Sequence, residues 1–96
     1  KHPWISMART YGQVILNNNL KHRLNLMRNM IQEFAVDGMV MHSTRSCKPY
    51  SVGQYDLRQA LSAELKLPAV IIDADIADER VWSEQQLRTR LEAFCE

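Results

Sequence analysis

The fold is decided by a stretch in the middle of the chain, Gly38-Met39-Val40-Met41-His42-Ser43-Thr44-Arg45-Ser46-Cys47-Lys48-Pro49-Tyr50. Its apolar beginning predicts a strand over 39–42 that is covered on both faces, as in a parallel sheet. A helix-start signal follows, because Ser51 has Gln54 three residues after it and the pair forms a capping box. Cys47 is therefore predicted to lie in a tight loop between a strand and a helix. In open α/β sheets, ligands bind at this place, just outside the carboxyl end of a strand.

Helical periodicity surrounds this stretch on both sides. The preceding helix is predicted from one apolar stripe, made by Leu20, Leu24, Met27, Ile31 and Phe34. Asp37-Gly38 is predicted to stop that helix, with Gly38 supplying a left-handed cap. The following helix is predicted over 52–66, with a buried stripe of Leu57, Leu61 and Leu65 that Ala60 can join.

A second strand and a last helix complete the pattern. Ala69–Ile72 is another short apolar run, which leads into an acidic loop with Asp73, Asp75 and Asp78. Ser83 and Gln86 form a further capping box and predict a helix over 84–95, which buries Leu87, Leu91 and Phe94. A strand, a helix and a strand in this order predict a right-handed parallel crossover and the α/β class.

The amino-terminal segment is less regular. Apolar spacing predicts a helix over 3–16, with a short strand over 13–16 as the alternative, and Asn17-Asn18-Asn19 is a turn and capping signal. We expect residues 1–96 to be a single carboxyl-terminal α/β domain, cut from a longer subunit. In that case residues 1–19 would form a helix connecting to upstream sequence. Two parallel strands make a poor free-standing sheet, which favours this fragment hypothesis.

The composition narrows the class of protein. The formal net charge of +1 in 96 residues favours neither a nucleic-acid partner nor an anionic membrane surface. No apolar run approaches the roughly 20 residues needed to span a bilayer, and no signal peptide is visible. The 2 cysteines are too few for a disulfide framework, and with the 5 methionines they indicate a reducing, cytoplasmic location.

Cys47 is the main candidate for chemistry. The positive start of the following helix, together with Arg45 and Lys48, would favour a thiolate, the form needed for nucleophilic attack and for metal ligation. The alternative is a buried structural cysteine. His42 could act as the base of a thiol enzyme, but an ordinary pocket or core histidine is the simpler interpretation. A phosphatase-type loop is excluded, because Gly53 stands where its arginine would be.

Metal ligands are incomplete within the chain. A zinc site or an iron–sulfur cluster needs three or four ligands, and the other thiol, Cys95, is predicted to be a small buried hydrophobe. Any further ligands of a site at Cys47 would therefore lie in other sequence. The carboxylates Asp73, Asp75 and Asp78 could bind a metal or a substrate group, but turn and helix capping is the favoured interpretation.

Two segments also resemble a known family. They are Asp37-Gly38 with the stretch from His42 to Gln54, and the later segment from Pro68 to Phe94 with its Asp73-x-Asp75-x-x-Asp78-x-Arg80 pattern. Together they resemble the carboxyl-terminal part of the benzoyl-CoA reductase/2-hydroxyacyl-CoA dehydratase family, over roughly residues 20–96. The most specific part of the resemblance is the Arg45-Ser46-Cys47-Lys48-Pro49 core.

The resemblance implies a fold, a cofactor and partners. Members of this family are anaerobic enzymes in which two related subunits each hold a 4Fe–4S cluster, and an ATP-hydrolysing activator protein supplies electrons. Each subunit contains flavodoxin-like parallel-sheet subdomains with three layers. Three cysteines bind each cluster, and Cys47 matches the last of them. The other two would lie upstream of Lys1.

The resemblance also implies a site and a reaction on an acyl-CoA substrate. Cys47 would be the cluster ligand, and the residues around it would line the cluster or substrate pocket: His42, Ser43, Arg45, Ser46, Lys48, Tyr50 and Gln54. The segment from Lys48 to Gln54 is more similar to subunits that reduce the ring of benzoyl-CoA by single electrons. The alternatives are a dehydratase that removes water from a 2-hydroxyacyl-CoA, and a metal-free flavodoxin-like interaction module.

Overall fold

The computed structural model describes residues 2–96, and it leaves out Lys1 and the side chain of Ile15. In chain order, the elements are α1 (Pro3–Gly12), α2 (Leu20–Glu33), β1 (Met39–Thr44), α3 (Lys48–Ser51), α4 (Gln54–Leu65), β2 (Ala69–Ala74) and α5 (Glu84–Cys95). Short 3₁₀ turns lie at Ile15–Asn17 and Glu79–Val81.

The two strands pair in parallel, as predicted. Their register runs from Met39 opposite Ala69 to Thr44 opposite Ala74. Parallel strands need a crossover connection, and α3 with α4 supplies it. Both strands extend two residues beyond the apolar runs, because backbone pairing continues where the side chains become polar. The predicted α/β class is confirmed.

The core lies between the sheet and two helices. Leu57 and Leu61 of α4 are 1% and 0% exposed, and they form one cluster with Met39, Met41 and Leu67. Three α2 residues pack against this cluster: Leu24, Met27 and Ile31. Helix α5 contributes no residue to the cluster and packs on β2 instead, and its predicted buried residues, Leu87, Leu91 and Phe94, are only half-buried. On the opposite face of β1, Val40 and His42 are exposed, so the predicted coverage of this strand on both faces is wrong for the described residues.

The predicted end of α2 is wrong in its detail. The helix ends at Glu33, and the left-handed residue after it is Ala35 with φ 47°, whereas Gly38 has no positive φ. The ring of Phe94 in α5 accounts for a glycine at position 38, because a Cβ there would lie 2.7 Å from the Cζ atom of Phe94. Gly38 thus permits a close contact between the start of β1 and the last helix.

The predicted capping box at Ser51 is also wrong. Ser51 is the last residue of α3, and its hydroxyl donates a hydrogen bond to the carbonyl of Cys47. A helical turn begins earlier instead, at Lys48. Pro49 fits the first turn of α3, because no backbone N–H is needed there. Helix α4 begins after Gly53, whose φ of 80° favours glycine.

Two other caps are confirmed. Asn19 accepts a hydrogen bond from the backbone N–H of His22 at the start of α2, and Ser83 accepts one from Gln86 at the start of α5. The amino-terminal helix ends at Gly12, and a 3₁₀ turn occupies the place of the alternative strand over 13–16. The role of α1 as a connection to upstream sequence stays a prediction. Within residues 2–96, no helix combines the length and apolarity needed to cross a membrane.

The buried leucines of α4 should dominate the stability of this fold. We expect Leu61→Ala to lower the free energy of unfolding by about 2–5 kcal/mol, because it leaves a cavity at a fully buried position. The control is Leu16→Ala, the same change at a side chain that is 45% exposed, which should cost about 0.5 kcal/mol or less. Urea unfolding of both variants measures the difference, and equal costs would contradict this account of the core.

Candidate functional site

The backbone around Cys47 is held on both sides. Its N–H donates to the carbonyl of Thr44 at 3.1 Å, so the turn closes directly on the end of β1. Its carbonyl accepts from the N–H groups of Tyr50 and Ser51 at 3.2 and 3.0 Å, and from the Ser51 hydroxyl at 3.0 Å. The residue is half-buried. The loop therefore fixes the backbone of Cys47 and leaves part of its side chain exposed.

Asp75 connects this loop to the loop after β2. One carboxylate oxygen accepts from the Ser46 backbone N–H at 2.7 Å, and the other accepts from the Ser46 hydroxyl at 3.0 Å. The second oxygen also accepts from the N–H of Ala77 at 2.9 Å. The bond from Ala77, followed by those from Ser46, lowers the pKa of Asp75, because each favours the ionised carboxylate. The ionised carboxylate of Asp75 thus holds Ser46, the residue just before Cys47, in place.

Arg45 lines a cavity beside the carboxyl-terminal half of β2. The backbone N–H of Arg45 donates to the carbonyl of Ala74 at 3.4 Å and so continues the sheet by one step. Its side chain lines a cavity of about 260 Å³, whose wall also includes Trp82, Gln86 and Arg90. Arg45 and Cys47 therefore share a loop, and the Arg45 side chain belongs to a cleft formed with α5.

Gln54 and His42 meet through the backbone. The Nε2 atom of Gln54 donates to the carbonyl of His42 at 2.7 Å, while the buried Oε1 atom has no partner within the described residues. The His42 side chain is exposed and alternates along β1 with the buried Met41. Among residues 2–96, no hydrogen bond joins it to the Cys47 thiol. The structure thus gives no support to a thiol–histidine pair.

The remaining predicted site residues lie at the same edge of the sheet. Ser43 is half-buried in β1 opposite Asp73. Lys48 and Tyr50 belong to the single turn of α3, and both side chains are exposed. They surround the Cys47 loop and are free to face a molecule outside this chain.

The donors within the chain fit one ligand of a metal cluster. Among residues 2–96, no group of three or more His, Cys, Asp or Glu side chains could hold a metal ion. Cys47 suits a single thiolate ligand, because its loop is fixed and its side chain is only half-buried. Cys95 does not join it: it lies at the end of α5 and is exposed, so its prediction as a buried hydrophobe is wrong.

Asp75 and Asp78 of the acidic loop cap backbone N–H groups, as the sequence predicted. Asp75 accepts from the Ala77 N–H, and Asp78 accepts from the N–H of Arg80 at 3.1 Å while pairing with its guanidinium at 2.8 Å. The Arg80 side chain, followed by its backbone N–H, lowers the pKa of Asp78. Both carboxylates are thereby committed to hydrogen bonds within the protein.

Comparison with known proteins places the chain in a family. The sequence model described as the 2-hydroxyglutaryl-CoA dehydratase D-component matches residues 1–96.

The chain belongs to this family.

Named relatives include parts of both reductases and dehydratases. One of the benzoyl-CoA reductase subunits of Thauera aromatica is 32% identical over 78 residues, which are 81% of this chain and 18% of the relative. The alpha subunit of lactoyl-CoA dehydratase from Anaerotignum propionicum is 34% identical over 91 residues, 95% of this chain and 22% of the relative. The (R)-phenyllactyl-CoA dehydratase alpha subunit of Clostridium sporogenes is 34% identical over 86 residues, 90% of this chain and 21% of the relative.

These matches confirm the family resemblance found in the motifs around Cys47. The chain spans about a fifth of the length of these relatives, since the aligned parts are 18–22% of them. The geometry described above is therefore that of one piece of the family's fold.

No local sequence pattern predicts how the residues after β2 contact the loop after β1. The pattern predicts Asp75 as a capping carboxylate, but not as the anchor of Ser46, which lies 29 positions earlier. Periodicity and capping do not mark Trp82, and Arg90 stands out only as part of the family resemblance, although both residues line the same cavity as Arg45. The parallel crossover is the signal that could have found them, because it brings the loops after both strands to one edge.

The anchoring role of Asp75 predicts a pH-dependent stability. The pKa of Asp75 is lowered in the folded protein, so the ionised carboxylate contributes stability above its unfolded pKa of about 3.9. That contribution is lost as the pH falls through the lower, folded pKa. We therefore expect Asp75→Asn to destabilise the protein at pH 7 and to differ progressively less from the wild type in acid.

Urea unfolding between pH 7 and pH 3 measures this effect. The matched control is Asp37→Asn, since Asp37 is an exposed aspartate without a side-chain hydrogen bond in the described part of the chain. A destabilisation by Asp75→Asn that stays constant over this pH range would contradict the anchoring role.

Proposed function

We propose that this chain is part of an iron–sulfur subunit of an acyl-CoA enzyme, with Cys47 as one ligand of a 4Fe–4S cluster. The observation that carries the proposal is the position of Cys47. A half-buried thiol lies in a hydrogen-bonded loop at the carboxyl end of a parallel strand, in a chain of this family. Two further thiolates of the subunit, in sequence outside this chain, would complete the cysteine ligands.

The loop suits a ligand because its backbone is already ordered. Hydrogen bonds fix Cys47 through its own N–H and carbonyl, and Asp75 fixes the preceding Ser46 through two more. A metal ligand held this way loses little conformational freedom on binding, so more of the bond energy remains as affinity. The Ser51 hydroxyl adds a local contact, since it donates to the carbonyl of Cys47.

Charge near the loop favours an anionic thiolate and an anionic cluster. Lys48 follows Cys47 directly and its side chain is exposed, whereas Arg45, two residues before Cys47, lines the cavity formed with α5. Positive groups nearby stabilise negative charge, although water and salt weaken such interactions at the surface. When bound, a 4Fe–4S cluster supplies one-electron transfer at a potential tuned by hydrogen bonds and solvent exposure.

The reaction is proposed to be the one-electron reduction of an aromatic acyl-CoA of the benzoyl-CoA type. This proposal rests on the resemblance of the segment from Lys48 to Gln54 to reductase subunits. Dehydration of a 2-hydroxyacyl-CoA is the second candidate. It is favoured by the lactoyl-CoA and (R)-phenyllactyl-CoA dehydratase relatives, which align over 95% and 90% of this chain.

The partners follow from the same proposal. The subunit would work with a related second iron–sulfur subunit and with an ATP-hydrolysing activator protein that delivers electrons. Exposed residues of α3, such as Lys48 and Tyr50, would face the substrate or the second subunit. A cytoplasmic, oxygen-free setting suits such chemistry.

Iron content tests the role of Cys47. The intact protein, purified without oxygen, should contain about four irons per subunit with broad visible absorbance. We expect Cys47→Ala to lose or damage the cluster, because a ligand is removed. Cys95→Ala is the matched control and should keep the iron, since Cys95 is exposed at the end of α5.

Unfolding measurements on the same samples separate loss of a ligand from loss of the fold. Cys47→Ser is a milder second variant that preserves the size of the side chain. A full complement of iron in correctly folded Cys47→Ala would refute the ligand assignment.

Parallel assays distinguish the two reactions. The purified subunits, with activator and ATP, would be given benzoyl-CoA in one reaction and a 2-hydroxyacyl-CoA in another. Ring reduction in the first supports the reductase proposal, and formation of an unsaturated acyl-CoA in the second supports the dehydratase alternative. Turnover of neither by an iron-loaded enzyme would count against both.

A further inference from the structure

The cavity beside the carboxyl-terminal half of β2 is lined by residues that the cluster proposal does not use. We name it the arginine cleft and define it by Arg45, Trp82, Ser83, Gln86 and Arg90, which line about 260 Å³ together with apolar residues of β2 and α5. Four separate parts of the chain form it: the loop after β1, the end of β2, the segment before α5, and α5 itself as far as Arg90. It therefore exists only in the folded protein.

Two guanidinium groups give the arginine cleft its charge. The Nη1 atom of Arg90 donates to the carbonyl of Ile71 at 2.8 Å, which holds this side chain against the outer edge of β2. Among the described residues, Asp73 is the one carboxylate in the lining, and it lies 3.7 Å from the same Nη1 atom, with both side chains about half exposed. These residues leave the cleft with one net positive charge and with unused N–H donors on both arginines.

The neutral groups in the arginine cleft add donors and a flat wall. The Ser83 oxygen accepts from the Gln86 N–H at the start of α5, so its hydroxyl hydrogen can donate into the cleft. The side-chain amide of Gln86 offers two more N–H donors. Trp82, 55% exposed, supplies an aromatic face beside them. Donors therefore outnumber acceptors, which suits a ligand rich in acceptor oxygens.

We propose that the arginine cleft binds the phosphoryl group of a phosphate ester, with Arg45 and Arg90 contacting the anion and Trp82 covering the adjoining organic part. A phosphoryl group offers three acceptor oxygens and close to two negative charges near neutral pH. Planar guanidinium forks match that geometry better than a single ammonium would. The volume admits a phosphoryl group with a small organic portion, so a larger ligand would extend into solvent past Trp82.

Binding of two phosphate-bearing probes tests the proposal. Calorimetric titration of the intact protein with inorganic phosphate and, separately, with coenzyme A gives both affinities. We expect Arg45→Gln and Arg90→Gln each to weaken binding about tenfold or more, because each removes charge-assisted hydrogen bonds. The matched control is Arg88→Gln, the same change on the same helix, where the side chain pairs with Glu92 outside the cleft. It should leave both affinities unchanged.

The outcomes separate the possible sources of the phosphate. Weakened binding of coenzyme A supports the cleft as a site for a phosphate ester, whereas weakened binding of inorganic phosphate alone would contradict the ester and indicate a site for the free anion. Arg45→Gln decides the question if Arg90→Gln fails to fold, because the Arg45 side chain makes no hydrogen bond within residues 2–96. Wild-type affinity for both probes in Arg45→Gln would overturn the proposal. The test is independent of the cluster, since it measures phosphate binding rather than iron.

Discussion

Parallel pairing of β1 with β2 is the constraint on which the rest of this structure depends. Because both strands run the same way, the chain must return over one face of the sheet, and α4 makes that return while burying Leu57 and Leu61. The same pairing brings the carboxyl ends of the strands to one edge. Cys47 and Asp75, which follow the two strands, are neighbours there for that reason alone.

A few side-chain hydrogen bonds then fix the loops at this edge of the sheet. Asp75 ties the turn before Cys47 to the loop after β2, and Ser51 closes the single helical turn behind it. Arg45 diverges from this group, since its backbone continues the sheet while its side chain lines the arginine cleft. The loop after β1 therefore contributes Cys47 to the candidate cluster site and Arg45 to the arginine cleft.

Local signals predicted most elements but misplaced some of their ends. Ser51 followed by Gln54 satisfies the capping-box pattern, yet Lys48-Pro49 begins a helical turn earlier, so Ser51 ends that turn and Gly53 precedes the next helix. The glycine at position 38 suggested a left-handed cap. Its actual constraint is the ring of Phe94, 56 positions later in the chain, and no local pattern contains that contact.

The sequence was enough to predict the α/β class, the parallel strand–helix–strand unit, the burial of Leu57 and Leu61 in α4 and the position of Cys47 just after a strand, whereas Leu65, the third leucine of the predicted stripe, is only half-buried. These follow from periodicity, capping and composition, which act over a few neighbouring residues. The packing of separate elements was needed to show that Asp75 anchors Ser46 and that Arg45 joins Arg90 in one cleft. Such contacts depend on how separate elements pack, because the residues involved are 29 and 45 positions apart in the chain.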